Sequence, residues 1–158
     1  MVAQMNFDQA FEQLLGHEGG YVNNARDPGG ETNWGISKRS YPSVDIKALT
    51  QDGAKAIYRR DFWAKCRADE LPPALRFDMF DGAVNSGVWQ SVKWLQQAVG
   101  AAADGVLGPV TLAALGKLSA PAVAARYNGH RLLFMTDLET WPAFSGGWAR
   151  RIALNLIG

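Results

Sequence analysis

The feature that most constrains this chain is a change of periodicity at Gly19-Gly20. Ahead of it, Phe7, Phe11 and Leu14 recur at helical spacing, and the next position in the series 7, 11, 14, 18 is Glu18. A helix on this pattern, capped by Asn6 or Asp8, carries its last carboxylate along the apolar face. Paired glycines then stop it, which puts Glu18 at the helix C-terminus. Beyond the stop, Tyr21-Val22 reads as a short strand and Asn23-Asn24 as a turn. Asp27-Pro28-Gly29-Gly30 is a second turn, and Thr32 to Ser37 a returning strand. The spacing therefore predicts a small β-ribbon hung on a helix end, carrying Asp27 and Thr32 back towards Glu18.

Burial and the negative end of the helix dipole both disfavour an ionised Glu18, so its pKa is expected to rise. A carboxylic acid protonated near neutrality can donate to a leaving group. The alternative is a helix-end Glu that bends into solvent. Two carboxylates across a gap, with a hydroxyl between, suit glycosidic bond hydrolysis: one protonates the leaving oxygen, the other handles water or the developing positive charge. Asp27 has a rival job, because an Asp opening such a turn commonly accepts hydrogen bonds from the backbone two residues on.

The run His17-Glu18-Gly19-Gly20-Tyr21-Val22-Asn23, followed by Asp27-Pro28-Gly29-Gly30-Glu31-Thr32-Asn33-Trp34-Gly35-Ile36-Ser37, resembles the signature of the glycoside hydrolase 108 family. Those are lysozyme-like N-acetylmuramidases of the phage endolysin and secretion-activator type. The order Glu, Asp, Thr also resembles the catalytic triad of bacteriophage-type lysozymes, with Thr32 one residue earlier than that pattern has it. The resemblance implies a mainly α, lysozyme-like single domain with a small β-ribbon beside the catalytic helix. It implies Glu18, Asp27 and Thr32 as catalytic residues, with Tyr21, Asn33, Trp34 and Asn85 as candidate sugar contacts. Tyr21 and Trp34 can equally be the ribbon's own packing.

With 158 residues, the chain can form one compact domain with a full core. A net charge of +1 makes no electrostatic case for nucleic acid or an anionic membrane. The single cysteine, Cys66, excludes an internal disulfide, and a buried thiol is the expected reading. His17 and His130 form no recognisable metal pair, so neither metal nor cofactor is expected. The first residues lack a basic start and an apolar run, and no stretch approaches a membrane span. The expectation is a monomer made in the cytoplasm without a signal peptide, acting on peptidoglycan glycan strands in the periplasm. The family resemblance and the missing signal imply release by a holin or a dedicated export system.

Further along, Thr50 caps a helix with Asp52 in its first turn, and Ala54, Ile57, Tyr58 and Phe62 share a face. Pro72-Pro73 opens a helix over about Ala74 to Asn85 that is apolar on nearly every side, as a buried central helix must be. Asp81 and Asn85 lie on one face of it. They are read either as a network tying this helix to the ribbon or, for Asn85, as a sugar contact. Another helix is expected over Val88 to Val99, with Val88, Val92, Leu95 and Val99 on its face. The following Asp104-Gly105-Val106-Leu107-Gly108-Pro109-Val110-Thr111 resembles a motif of peptidoglycan-binding modules, and is equally a plain turn into a helix. A helix from about Pro121 to Leu138, interrupted at Asn128-Gly129, precedes a last helix from about Gly147 to Ile157, which Trp148, Ile152 and Leu156 should pack home. Residues 1–90 are thus read as the catalytic region and residues 91–158 as a helical peptidoglycan-binding segment packed in the same globule.

Three functions fit these residues: a muramidase cutting the β-1,4 bond between N-acetylmuramic acid and N-acetylglucosamine, a lytic transglycosylase or chitinase-like enzyme using Glu18 alone, and a non-catalytic wall-binding protein. A transglycosylase needs one acid/base, because the substrate's own hydroxyl attacks. Asp27 therefore leans the reading towards hydrolysis.

Overall fold

The computed structural model describes residues 4–16 and 20–157. Helix α1 spans Phe7–Leu15, β1 Val22–Asn23, β2 Glu31–Asn33 and β3 Ile36–Ser37. Helix α2, Gln51–Tyr58, runs into a π-helical turn over Arg59–Trp63 and a short 3₁₀ turn over Ala68–Glu70. Then come α3 (Pro73–Ser86), α4 (Val88–Val99), α5 (Pro109–Leu115), α6 (Ala120–Thr136) and α7 (Trp141–Ile157). The architecture is mainly helical, with one small antiparallel sheet in the order β1-β2-β3.

Asn6 caps α1 through a reciprocal box: its side chain accepts from the Gln9 N–H while Gln9 accepts from the Asn6 N–H. Phe7, Ala10 and Phe11 point this helix into the core. There Phe7 meets Trp63 at 5.5 Å and Phe80 at 5.9 Å between ring centroids, edge to face. Tyr58 closes the cluster against Phe11, and Trp63 packs on Phe80. Thr50 caps α2 as its sequence predicts.

Helix α3 is the axis of the molecule, with Leu75, Asp78, Met79, Phe80, Asp81, Gly82 and Ala83 all buried. On its other side Val92, Trp94 and Leu95 of α4 and Val123 and Tyr127 of α6 complete one continuous core. Ser91 donates to the Met79 carbonyl at 2.9 Å and lies 2.7 Å from the Tyr127 hydroxyl, pinning the three helices together. Cys66 is buried, and burial pushes its thiol up to about 12.

Five expectations need correction. Helix α1 ends at Leu15 with Gly16 (φ 54°) as its C-cap, ahead of the paired glycines expected to stop it, so the helix stops short of Glu18. Thr32 to Ser37 is not one returning strand but the end of β2, a turn at Trp34-Gly35, and β3. Helix α6 is not interrupted at Asn128-Gly129. The buried Asn128 amide donates to Asp78 Oδ2 at 3.0 Å and to the Ala124 carbonyl, so a tertiary partner overrides the residue's turn preference. Helix α7 begins at Trp141, before Pro142, and passes through Gly146-Gly147 without a break. Proline is tolerated in a first helical turn, and stacking of Phe144 on Trp148 at 5.5 Å supports the glycine stretch. Of the three residues expected to pack α7, Ile152 is 2% exposed but Leu156 is 55% exposed.

The Asp104–Thr111 turn is organised by Gln96 of α4. Its amide donates to Asp104 Oδ1 (2.7 Å), the Val106 carbonyl and Thr111 Oγ1, and its oxygen accepts from the Gly105 N–H. These bonds fix the turn that leads into α5. No described helix is long and apolar enough to cross a membrane.

Candidate active site

A cleft of about 530 Å³ opens between the end of α1, the ribbon and α3. Leu14, Leu15, Gly20, Val22, Thr32 and Asn85 are on its wall, together with Tyr58, Val84 and Arg151. Glu18 lies outside the described residues. The chain runs into the segment 17–19 from Leu15 and out of it at Gly20, and both of these residues line the cleft.

The sheet sets what the ribbon presents. Val22 pairs with Thr32, and Thr32 with Ser37, so Thr32 is central and its neighbours fix its place on the cleft wall. Its hydroxyl makes no hydrogen bond to any described residue. Between β2 and β3, Trp34 and Gly35 both have positive φ (53° and 77°), as a two-residue hairpin turn of the primed type requires. Tyr58 secures that turn by donating its hydroxyl to the Trp34 carbonyl at 3.1 Å. Burial holds the Tyr58 phenol up to about 12, so it stays a donor.

Other residues predicted at the site hold the ribbon itself. The Asn33 side chain is buried, and its amide donates to the carbonyls of Ile46 (3.0 Å) and Leu49 (3.1 Å). Trp34 donates its indole N–H to that same Leu49 carbonyl at 3.1 Å. Together they clamp the ribbon to the 44–50 loop, and neither lines the cleft. The polar hydrogens of Asn33 and Trp34 are thus occupied by backbone, which gives both residues a structural role in the ribbon. Tyr21 is likewise occupied, donating to Glu31 Oε2 at 2.8 Å across the strands. Asp27 accepts from the Gly29 N–H through Oδ1 at 2.9 Å, the turn-capping bond, and its carbonyl accepts from Gly30. Its carboxylate is exposed, and Oδ2 has no partner among the described residues.

Asn85 is on the cleft wall, with its amide donating to the Asp81 carbonyl at 3.0 Å, one turn back in α3. The network around Asp81 does not lead to the ribbon, as expected from the sequence, but to the C-terminal helices. Asp81 Oδ2 accepts from Arg131 at 2.6 Å and Asn155 at 3.1 Å, while Oδ1 accepts a fork from Arg151. Burial opposes the charge on Asp81, yet the Arg151 and Arg131 guanidiniums hold its carboxyl below the usual range. Arg151 is the cleft residue that sequence reasoning missed. The available signal was the apolar α3 itself, since its acidic residues need basic partners once buried.

Comparison with known proteins agrees with this arrangement. The family model for glycosyl hydrolase 108 matches residues 11–87, and that for a predicted peptidoglycan domain matches residues 90–153. The solved structure of Brucella abortus SagA superposes with a TM-score of 0.85 at 35% identity, covering 95% of this chain and 91% of that one. The chain belongs to the glycosyl hydrolase 108 family. No curated protein gives a significant match. Family membership and the attached peptidoglycan domain support a peptidoglycan hydrolase of lysozyme-like fold. In this glycosyl hydrolase 108 chain the first matched segment ends at Gly87, which alone separates α3 from α4, and the second begins within the first turn of α4. The cleft draws on both, since Arg151 comes from the peptidoglycan segment and the ribbon from the hydrolase segment.

Proposed function

We propose that this chain hydrolyses the β-1,4 bond between N-acetylmuramic acid and N-acetylglucosamine in peptidoglycan, with Glu18 as general acid. The observation that carries the reading is the cleft: the chain leaves it at Leu15 and re-enters it at Gly20, on either side of Glu18. Its size is in the range of sites that hold small ligands, about 300–1,000 Å³. Glu18 protonates the leaving glycosidic oxygen as the bond breaks, and positive charge develops at the anomeric carbon of the sugar that loses it, which the water then attacks. Asp27, through the oxygen not used by the turn, takes the proton of the attacking water or stabilises that charge. Thr32 supports the water from the cleft wall, having one donor and two acceptor sites, and Asn85 contacts the sugar.

One observation favours a second reading. Asp27 already has a structural bond to Gly29, and an enzyme using Glu18 alone would be a lytic transglycosylase. Digestion of purified sacculi followed by mass analysis separates the two. Hydrolysis releases reducing muramic ends, the expected result. Anhydro-muramic ends would establish the transglycosylase, and no release would leave a wall-binding protein.

A further inference from the structure

The cleft does not end at its own wall. A second cavity, of about 350 Å³, is lined by Gln13, Phe77 and Leu154, and it shares Leu14 and Arg151 with the cleft. Arg151 therefore stands at the threshold between the two. It is also the exposed member of the charge cluster around Asp81. The single negative charge of Asp81 meets two guanidiniums, of which Arg131 is 0% exposed and Arg151 38% exposed. Asp78, the other buried carboxylate of α3, bonds to Asn128 and makes no hydrogen bond to Arg151. Arg151 presents Nε and Nη2 to Asp81, which leaves Nη1 without a partner among the described residues. A guanidinium fixed along one edge and, among the described residues, open along another is a preorganised donor to a second carboxylate.

Resting on the reading that the cleft holds a peptidoglycan strand, we propose that Arg151 is a specificity-determining residue that binds a substrate carboxylate through this open edge. The cleft then prefers acidic strands to neutral ones of the same backbone. Peptidoglycan offers a carboxylate from two sources: the lactyl group of muramic acid freed of its peptide, and the stem peptide itself. Chitin has the same linkage and acetamido groups but no carboxylate. The helix bearing Arg151 lies in the segment matched by the peptidoglycan domain, so that segment contributes to substrate choice inside the hydrolase cleft.

The test is a binding titration in a Glu18→Gln background, which prevents turnover. Three tetrasaccharide probes are compared: chitotetraose, a peptide-free muramic-acid glycan, and the same glycan carrying stem peptides. Arg151→Met should weaken at least one acidic probe about three- to tenfold and chitotetraose less than about twofold. Whichever acidic probe responds identifies the source of the carboxylate. Arg151→Lys, which keeps the charge and a bond to Asp81, should recover part of the loss and carries the test if the Met variant does not fold. Equal losses on all three probes, as a purely structural residue would give, overturn the proposal, as does no loss on either acidic probe. Digestion of sacculi by the wild type is scored separately. Digestion with unselective binding sinks this inference alone, whereas selective binding without digestion sinks the hydrolase reading alone.

Discussion

Asp27 uses one carboxylate oxygen on the Gly29 N–H and leaves the other in solvent, and mutation can separate those two roles. Asn keeps the turn bond but cannot take a proton, so Asp27→Asn should melt like wild type. It should lose hydrolysis of sacculi by about 10²-fold or more if the free oxygen is the base. Asp27→Ala should additionally lose about 1 kcal/mol of stability in denaturant titration, for the missing hydrogen bond. A stable and fully active Asp27→Asn would leave Glu18 as the sole essential carboxylate and favour the transglycosylase. At Thr32, Ser should preserve much of the rate and Val little of it, since only the hydroxyl serves the water. The turn role of Asp27 was readable because Asp-Pro-Gly-Gly is self-contained chemistry. Packing of the ribbon was one of the two readings open for Trp34, but the partners of Asn33 and Trp34 were not readable, because their acceptors at Ile46 and Leu49 come from a loop whose approach nothing in the ribbon's own sequence announces.

At the scale of elements, period and stop signals carried the reading wherever an element's reasons are local. The Asn6 cap, the Thr50 cap, α4 and the presence of a small ribbon follow from spacing, glycine and proline, while the hairpin turn at Trp34-Gly35 inside the expected returning strand does not. Helix α6 departed from expectation because a tertiary partner, Asp78 for Asn128, outweighs local turn preference, and α7 because its early turns take Pro142 at a tolerated position and stack Phe144 on Trp148 across the glycines. The packing of α3 on α6 is tight at a single atom. A Cβ on Gly82 of α3 would collide with the Tyr127 hydroxyl and come within 3.2 Å of Ser91 Oγ. Gly82→Ala should therefore cost about 1–3 kcal/mol by equilibrium urea unfolding. Adding Tyr127→Phe, which removes the colliding oxygen, should return part of that loss. Additive losses in the double variant would contradict the packing described for α3, α4 and α6.

For the whole molecule, the hydrolase and peptidoglycan segments are joined by buried charge, and that makes stability depend on pH. Burial raises the Asp78 carboxyl to about 7, even though Asn128 and Arg131 pull it down. A carboxyl raised in the folded state contributes stability that is full below its unfolded pKa near 4 and lost as pH rises through about 7. Asp81 has the opposite sign: its depressed carboxyl contributes stability above the unfolded value, lost as pH falls through the folded one. Thermal unfolding should therefore show stability declining from mildly acidic to neutral pH, by at most about 4 kcal/mol from Asp78. Asp78→Asn should flatten that decline, and an unchanged slope would show that another group sets it. Asp81→Asn should weaken the joint between the segments at every pH above the unfolded carboxylate range, by up to about 3–5 kcal/mol. The central claim concerns the Glu18 carboxylate, and the most direct test is the rate at which Glu18→Gln solubilises purified sacculi at matched folding. The account predicts a fall of about 10²–10⁴-fold with the melting profile retained. A folded Glu18→Gln protein that digests sacculi at close to the wild-type rate would contradict it.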